Sequence, residues 1–544
     1  VTGRAGTAGT AGALLLLRLA LRRDRTVLAV WLLAIGGLAA AFAAMSVSSL
    51  PTQADVVQET ALFAGTPAMR LLGLPSGATV GGYVMVRGHL TLAVLAALMS
   101  VFAVVRHTRQ DEENGRAELV SSGVTGRYAR LAAALAVAVV ADLGVAVVVA
   151  LGIGAQGLPV AGSVAAGASV GAVGLVLAGV AAVTAQLTTT ARGASTLAGA
   201  ALAGAWLLSG IGNVLGEVGD DGFRVTSAWP AWLSPLGWSQ QVRPFDDLVW
   251  WPLGLGVLVL LGLAAAAARL SARRDFGLGV LPERRGRAGA PWASARVTGL
   301  VRRLHRSADL GWGVALAAFG LVLGSMTEAM TQLDGAALDW YTTTAGTDRI
   351  VPAFQTAMLQ LAAPAVGLYL VQLLLRVRGD EIAGRTELVH ATPASPARWL
   401  VAHLLRGTVV AALLLAIFSL ALALPAAGVD GSAGFGSLLA AGLGQLPAVL
   451  ALGGLVTVAV GLLPGAAPAL GWGLVGAAVV LGPTFGPGIG APRWALDLSP
   501  FAHAAQAPAA DVPLAAVAVL TAVGIAAAVV GLLAVRGRDQ RLPV

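Results

Sequence analysis

The sequence contains no cysteine and, although 35 residues are basic, no lysine: every one is arginine. Without cysteine there are no disulfides, thiolate metal ligands or thiol nucleophiles. Without lysine there is no P-loop, because that motif needs its lysine to reach the β- and γ-phosphates. Work driven by ATP would therefore need a second chain to hydrolyse it. Charge is scarce as well, at 11% of residues, where a soluble domain carries roughly 25%. The six histidines (His89, His107, His305, His390, His403 and His503) show no metal-ligand spacing. No Ser/His/Asp arrangement and no glycine-rich phosphate loop stand out. Catalysis by this chain is not expected.

Hydrophobic residues make up 57% of the 544 positions, glycine adds 71 more, and the mean hydropathy is +0.81. There is too little charge to cover the surfaces of soluble domains. The composition reads as an all-α, polytopic integral membrane protein. Twelve apolar runs approach the roughly 20 residues needed to cross a bilayer. They lie at 27–47, 86–105, 131–151, 164–187, 195–215 and 250–268, then at 310–330, 354–375, 400–424, 435–460, 466–485 and 513–535. The first run follows Arg18–Arg25 and resembles a signal peptide, but its length and the eleven later spans favour an uncleaved helix. Six of the 35 arginines (Arg70, Arg87, Arg224, Arg243, Arg349 and Arg493) fall on one side of this arrangement and the other 29 on the opposite side. That bias puts both termini in the cytoplasm. It also accounts for the net charge of +8 without a nucleic-acid partner.

A duplication is the most informative pattern. Asp111-Glu-Glu-Asn-Gly-Arg-Ala-Glu-Leu-Val120 recurs as Asp380-Glu-Ile-Ala-Gly-Arg-Thr-Glu-Leu-Val389, with seven of ten positions identical. Each copy follows the second span of its half, on the arginine-rich side. A second echo pairs Leu233-Ser-Pro-Leu236 with Leu498-Ser-Pro-Phe501, and Gln241 and Gln506 follow at the same offset. Two landmarks in the same order imply two homologous six-span halves, 1–268 and 310–544, repeated in parallel about an axis along the membrane normal. A basic cytoplasmic linker, 269–309, joins them. Its end (Val297, Leu300, Val301 and Leu304 against Arg296, Arg302, Arg303 and Arg306) and the stretch Leu14–Arg25 both have the pattern of a basic interfacial helix.

Taken as a short helix, the repeated motif pairs Glu112 with Arg116, and Glu381 with Arg385, four residues apart. Glu118, Leu119 and Val120, like Glu387, Leu388 and Val389, set an acid beside two apolar residues. A solvated turn has no need of that combination, whereas a docking surface uses the apolar groups for contact and the charges for register.

On these two Glu-x-x-Gly-Arg-x-Glu-Leu-Val segments and the two Leu-Ser-Pro segments, the chain resembles membrane components of ABC exporters of the ABC-2 type. The duplicated actinobacterial exporters of polyketide antibiotics, of the tetronasin-resistance kind, match best. The resemblance implies that Asp111, Glu112, Gly115, Arg116, Glu118, Leu119 and Val120, with Asp380, Glu381, Gly384, Arg385, Glu387, Leu388 and Val389, form two coupling helices. Each would enter a groove on one copy of a partner ATPase. That partner would bind ATP and magnesium, and this chain would hold no cofactor or metal. It further implies a bacterial plasma-membrane location, large amphipathic substrates, and short outer helices around Ser234, Pro235, Gln241, Ser499, Pro500 and Gln506 that help gate exit.

Polar groups inside spans are the remaining candidates. Asp142 is the one acid placed mid-membrane, where it could meet a substrate, carry a proton, or pair with Arg87 or another buried donor. Gln186, Gln360 and Gln372 could line a pathway or bond helix to helix. Gly167-x-x-x-Gly171 permits close helix approach, a weak signal in so glycine-rich a chain. The rival reading is a proton-driven twelve-span drug antiporter with Asp142 as carrier.

Overall fold

The computed structural model describes residues 9–121, 123, 125–281, 289, 296–331, 349–483, 486, 492–510 and 512–536. The chain divides into two compact units, Val1–Arg285 and Gly286–Val544. Unit 1 contains six long helices: α1 (Ala13–Ser49), α2 (Val80–Glu113), α3 (Ala129–Gly154), α4 (Val160–Leu187), α5 (Ala191–Val214) and α6 (Trp251–Arg273). Unit 2 contains α7 (Val297–Ser325), α8 (Ile350–Ile382), α9 (Pro396–Ala426), α10 (Phe435–Leu462), α11 (Ala467–Val480) and α12 (Leu514–Arg536). The described strands amount to one two-residue pair, Glu217–Val218 with Val225–Thr226. The all-α membrane architecture expected from composition is what the chain adopts.

These helices are apolar around most of their circumference. Such a surface is stable only inside protein or against lipid. The segments between them carry the polar caps. Thr190 accepts from the Gly193 N–H to start α5, and Ser395 accepts from the Arg398 N–H to start α9, with Pro396 at the first helical position. Burial differs sharply along each unit: 72% of the most apolar stretch of α2, α4 and α8 is enclosed, against 11% for α6 and 17% for α12. The first three are core helices and the last two face outward.

Small residues set the closest approaches. A Cβ on Gly171 would lie 2.7 Å from the Asp142 carbonyl, and one on Gly167 or Gly174 would overlap Ala146 or the Asp142 carboxylate. The Gly167/Gly171 pair is therefore a true packing face of α4 on α3. In unit 2, Gly454 and Gly461 of α10 make the matching close contact with Gly524 and Gly531 of α12.

Three expectations change. Eleven described helices, not twelve, are long and apolar enough to span. The run at 466–485 yields α11, whose 14 residues rise only about 21 Å against roughly 30 Å of hydrocarbon. The basic stretches Leu14–Arg25 and Arg296–Asp309 are not separate interfacial helices. They continue without a break into α1 and α7, so that α1, at 37 residues, extends roughly 55 Å. Finally, the centre of the basic linker, 282–288 and 290–295, lies outside the described residues.

Candidate functional site

The repeated motif does not form one helix. In both copies a glycine in the left-handed region, Gly115 and Gly384 with φ of 69°, ends the preceding long helix and starts a new six-residue one, Arg116–Ser121 or Arg385–His390. A side chain is strained at that φ, and glycine is not. The break separates the residues expected to pair four apart, so Glu112–Arg116 and Glu381–Arg385 do not form. Each acid instead turns back along its own helix. Glu112 binds Arg109 at 2.8 Å and Glu381 binds Arg378 at 2.9 Å. Each arginine after the glycine binds the first aspartate of its motif: Arg116–Asp111 at 3.7 Å and Arg385–Asp380 at 2.7 Å.

In unit 1 this corner is heavily clamped. The Glu112 side chain is 3% exposed and meets Arg274 at 2.7 Å and Arg130 at 3.5 Å besides Arg109. Arg109, fully enclosed, also donates to the Ala185 carbonyl from Nε and Nη2. Arg274 donates from Nε to Gln186 Oε1 at 2.7 Å. Residues 274–281 then fold back along the end of α4, with Val280 and Leu281 donating to the carbonyls of Gln186 and Leu187. Arg23 of α1 reaches Asp111 at 3.0 Å. Five segments therefore converge on one motif. Unit 2 places Arg378 similarly, bonded to Glu381 and to the Pro464 carbonyl at 3.0 Å.

What remains on the surface is the end of each motif. Leu119 and Leu388 are each 79% exposed, beside the exposed Glu118 and Glu387. Val389 is half-buried, and the side chain of Val120 lies outside the described residues. Both units thus present a Glu-Leu step on a short helix held by a glycine turn.

The polar groups expected along a transport path are mostly committed elsewhere. Asp142 is buried between α2, α3 and α4, where Ser100 Oγ lies 2.8 Å from both carboxylate oxygens. Its partner is thus Ser100 and not Arg87, which lies over the Tyr83 ring. Gln186 lies in the last turn of α4 and belongs to the Arg274 clamp. Gln372 Oε1 accepts from Trp312 Nε1 at 3.3 Å, tying α8 to α7. Gln360 is buried on α8.

A family described as "Multidrug efflux system permease Rv1217c, C-terminal domain" matches residues 16–271 and 295–536. The chain belongs to this family of multidrug efflux permeases. The "Multidrug efflux system permease protein Rv1217c" of Mycobacterium tuberculosis (strain ATCC 25618 / H37Rv) is 35% identical over 541 residues, covering 98% of this chain and 96% of the relative. This chain is accordingly a multi-pass drug-efflux permease, a transporter.

For this efflux permease, the segments opposite the motifs contain the short helices expected there, Trp229–Leu233 and Pro235–Gln240 in unit 1 and Arg493–Leu496 and Pro500–His503 in unit 2. Ser234 caps the helix that begins at Pro235 and donates to the Ala205 carbonyl; Ser499 donates to the Ala478 carbonyl at 2.7 Å. The two serines thus fasten the segments at equivalent places. The glutamines diverge: Gln241 is buried and donates to Ser227 Oγ at 3.0 Å, whereas Gln506 is exposed.

Sequence reading missed Phe245. It holds a φ of 71°, rare for a bulky residue. Its ring wedges against Gly81 at the start of α2 and Gly162 at the start of α4, where any Cβ would overlap it. Ser76 Oγ and Thr79 Oγ1 bond the carbonyls of Pro244 and Phe245. The visible signal was a glycine at the first turn of two core helices, indistinct among 71 glycines.

Proposed function

We propose that the permease is the membrane subunit of an ATP-driven ABC exporter and that its two glycine-turn helices dock on ATPase subunits, one in each unit. The observation that supports this most directly is the exposed Glu-Leu step repeated in both motifs. The acids and arginines around it are consumed in holding the turn, while Leu119 and Leu388 stay at the surface. Exposed leucines at a polar end of a helix bundle are what an apolar pocket on a partner recognises, with the neighbouring glutamates fixing register. The absence of lysine, and with it of a P-loop, leaves ATP hydrolysis to that partner. On this reading the motifs and both termini face the cytoplasm, ATP and magnesium sit in the partner, and two ATPase copies serve one permease. The cargo consists of amphipathic compounds such as antibiotics or other drugs. The clamp on Glu112 lets a push on the motif reach α2, α4 and the segment after α6 together, biasing the permease between inward- and outward-open states.

The test is a pull-down of tagged permease from gently solubilised membranes, with the Glu118→Ala/Glu387→Ala double variant alongside. The expected result is co-purification of a soluble ATPase at about two copies per permease, lost in the double variant while its membrane insertion and melting are unchanged. Export that persists with no ATPase recovered, or normal capture and export by the double variant, would refute the docking reading.

A further inference from the structure

We infer that unit 1 holds a binding site for an acidic phospholipid, formed between the basic end of α1, the first glycine-turn helix and α3. A cavity of about 460 Å³ opens there. Leu16 and Leu19 of α1 and Leu119 of the short helix line it together with Arg23, Arg116 and Arg130. That pairing of an apolar wall with clustered guanidiniums is the chemistry of a phosphate head group attached to an acyl chain.

Charge decides the class of ligand. Three guanidiniums line the cavity against a single lining carboxylate, Asp111. Asp111 already accepts from Arg23 at 3.0 Å and has Arg116 at 3.7 Å. Arg130 approaches Glu112 only to 3.5 Å, because Arg109 and Arg274 occupy that carboxylate at 2.8 and 2.7 Å. Its Nη1 is shielded from solvent and has no hydrogen-bond acceptor among the described residues. An enclosed guanidinium nitrogen without an acceptor is costly. A phosphodiester in the cavity would offer the lining guanidiniums a charge-assisted partner.

The apolar wall selects a lipid over a soluble anion. Leu19 is 58% exposed and its neighbour Leu15 is 69% exposed, on a helix that continues directly into a membrane span. The cavity therefore adjoins the surface α1 presents to the acyl region, and a chain leaving the head group has an apolar track to follow. Unit 2 has a cavity of about 570 Å³ beside Arg296 and Arg398, at the start of α7 and after the second motif. The proposal is confined to unit 1, whose cavity gathers three guanidiniums where that of unit 2 has two.

The site shares Arg116 and Leu119 with the first docking helix, but its test needs no ATPase, since it requires only the permease and a lipid. Native mass spectrometry of the purified full-length permease, supplied with phosphatidylglycerol or phosphatidylcholine, measures it directly. Phosphatidylglycerol should stay bound through detergent exchange and phosphatidylcholine should not. Arg23→Gln/Arg116→Gln/Arg130→Gln should weaken retention of the acidic lipid by about tenfold or more. Ala133→Phe leaves every charge in place but fills the cavity that Ala133 lines, and should also reduce retention. It decides the matter if the triple variant fails to fold. Equal retention of both lipids would overturn the proposal, as would phosphatidylglycerol binding that survives both changes. Displacement of the lipid by excess inorganic phosphate alone would show a site for a soluble anion and overturn it too.

Discussion

Replacing Glu112 by glutamine is the sharpest test of the clamp. The Glu112 carboxylate is 3% exposed and has three guanidiniums within 3.5 Å, two of them at 2.8 Å or less. Glutamine keeps the shape but removes the charge, and its amide hydrogens face arginines that also donate. Removing one partner of a buried ion pair costs about 3–5 kcal/mol, because the remaining charge is left uncompensated. Here three remain, and Arg109 is wholly enclosed. The Ala185 carbonyl still accepts from Arg109 and Gln186 from Arg274, which limits the loss. We expect about 3 kcal/mol, seen as a fall of roughly 5–10 °C in the detergent melting midpoint. Removing a second charge should restore part of this, so Glu112→Gln/Arg274→Gln should melt above the sum of the two single effects. Glu381→Gln, at an acid 11% exposed, should cost less. An unchanged midpoint for Glu112→Gln, or strictly additive single variants, would refute the clamp.

Other outcomes follow from contacts that leave no room. Gly174→Val should greatly reduce the level of folded permease in membranes, because its Cβ would overlap the Asp142 carboxylate; normal accumulation would show that α3 and α4 pack less closely. Gly162→Ala should expel the Phe245 ring and cost about 1–3 kcal/mol, visible as faster proteolysis near Pro244 at an unchanged rate elsewhere. Asp221 carries a pH prediction. Its carboxyl is held below the ordinary range by the backbone N–H groups of Arg224 and Phe223 and by the Arg224 guanidinium. A depressed folded value means this support is complete above the unfolded value of about 3.9 and is lost as pH falls through the folded one. Protease sensitivity of the Glu217–Thr226 hairpin should therefore be equal at pH 7 and pH 5.

Helix positions and membrane class were legible because hydropathy over 20 residues is a strong, additive signal. Helix ends were not, since arginines at the start of α1 and α7 read as an interfacial face although the backbone continues through them. The span at 466–485 was misjudged for a related reason: alanine and glycine raise apolar content without fixing where the helix stops, and α11 ends at Val480. Asp142 was singled out as the one acid within a span and is buried there, but its partner Ser100 lies 42 residues away and no local spacing reveals it. Arg274 is 162 residues from Glu112, so the clamp was likewise invisible from sequence. For Gln186 the sequence left open a pathway role or a helix-to-helix bond, and the segment that binds it arrives after α6, 88 residues away.

Six of the seven identities shared by the two motifs divide by what each residue touches. Asp111 and Asp380, Arg116 and Arg385, and the two glycines build the turn; Glu112 and Glu381 anchor it to the preceding helix. These would persist in any structural corner and argue for no partner. Glu118-Leu119 and Glu387-Leu388 differ, because the leucines are retained at 79% exposure in both places, where an isolated corner gains nothing from them. The positions that diverge point the same way. Glu113 accepts from the Ala191 N–H at 2.9 Å, at the positive end of α5, whereas its counterpart Ile382 is 51% exposed. The second motif therefore offers a partner an additional exposed apolar side chain. If the leucines dock, Ile382→Glu should weaken ATPase capture. Glu113→Ala should mainly loosen the start of α5, seen as faster amide exchange at Ala191, while capture remains. Loss of capture in the second variant but not the first would mean that the corner itself, and not the exposed apolar step, is what the partner reads.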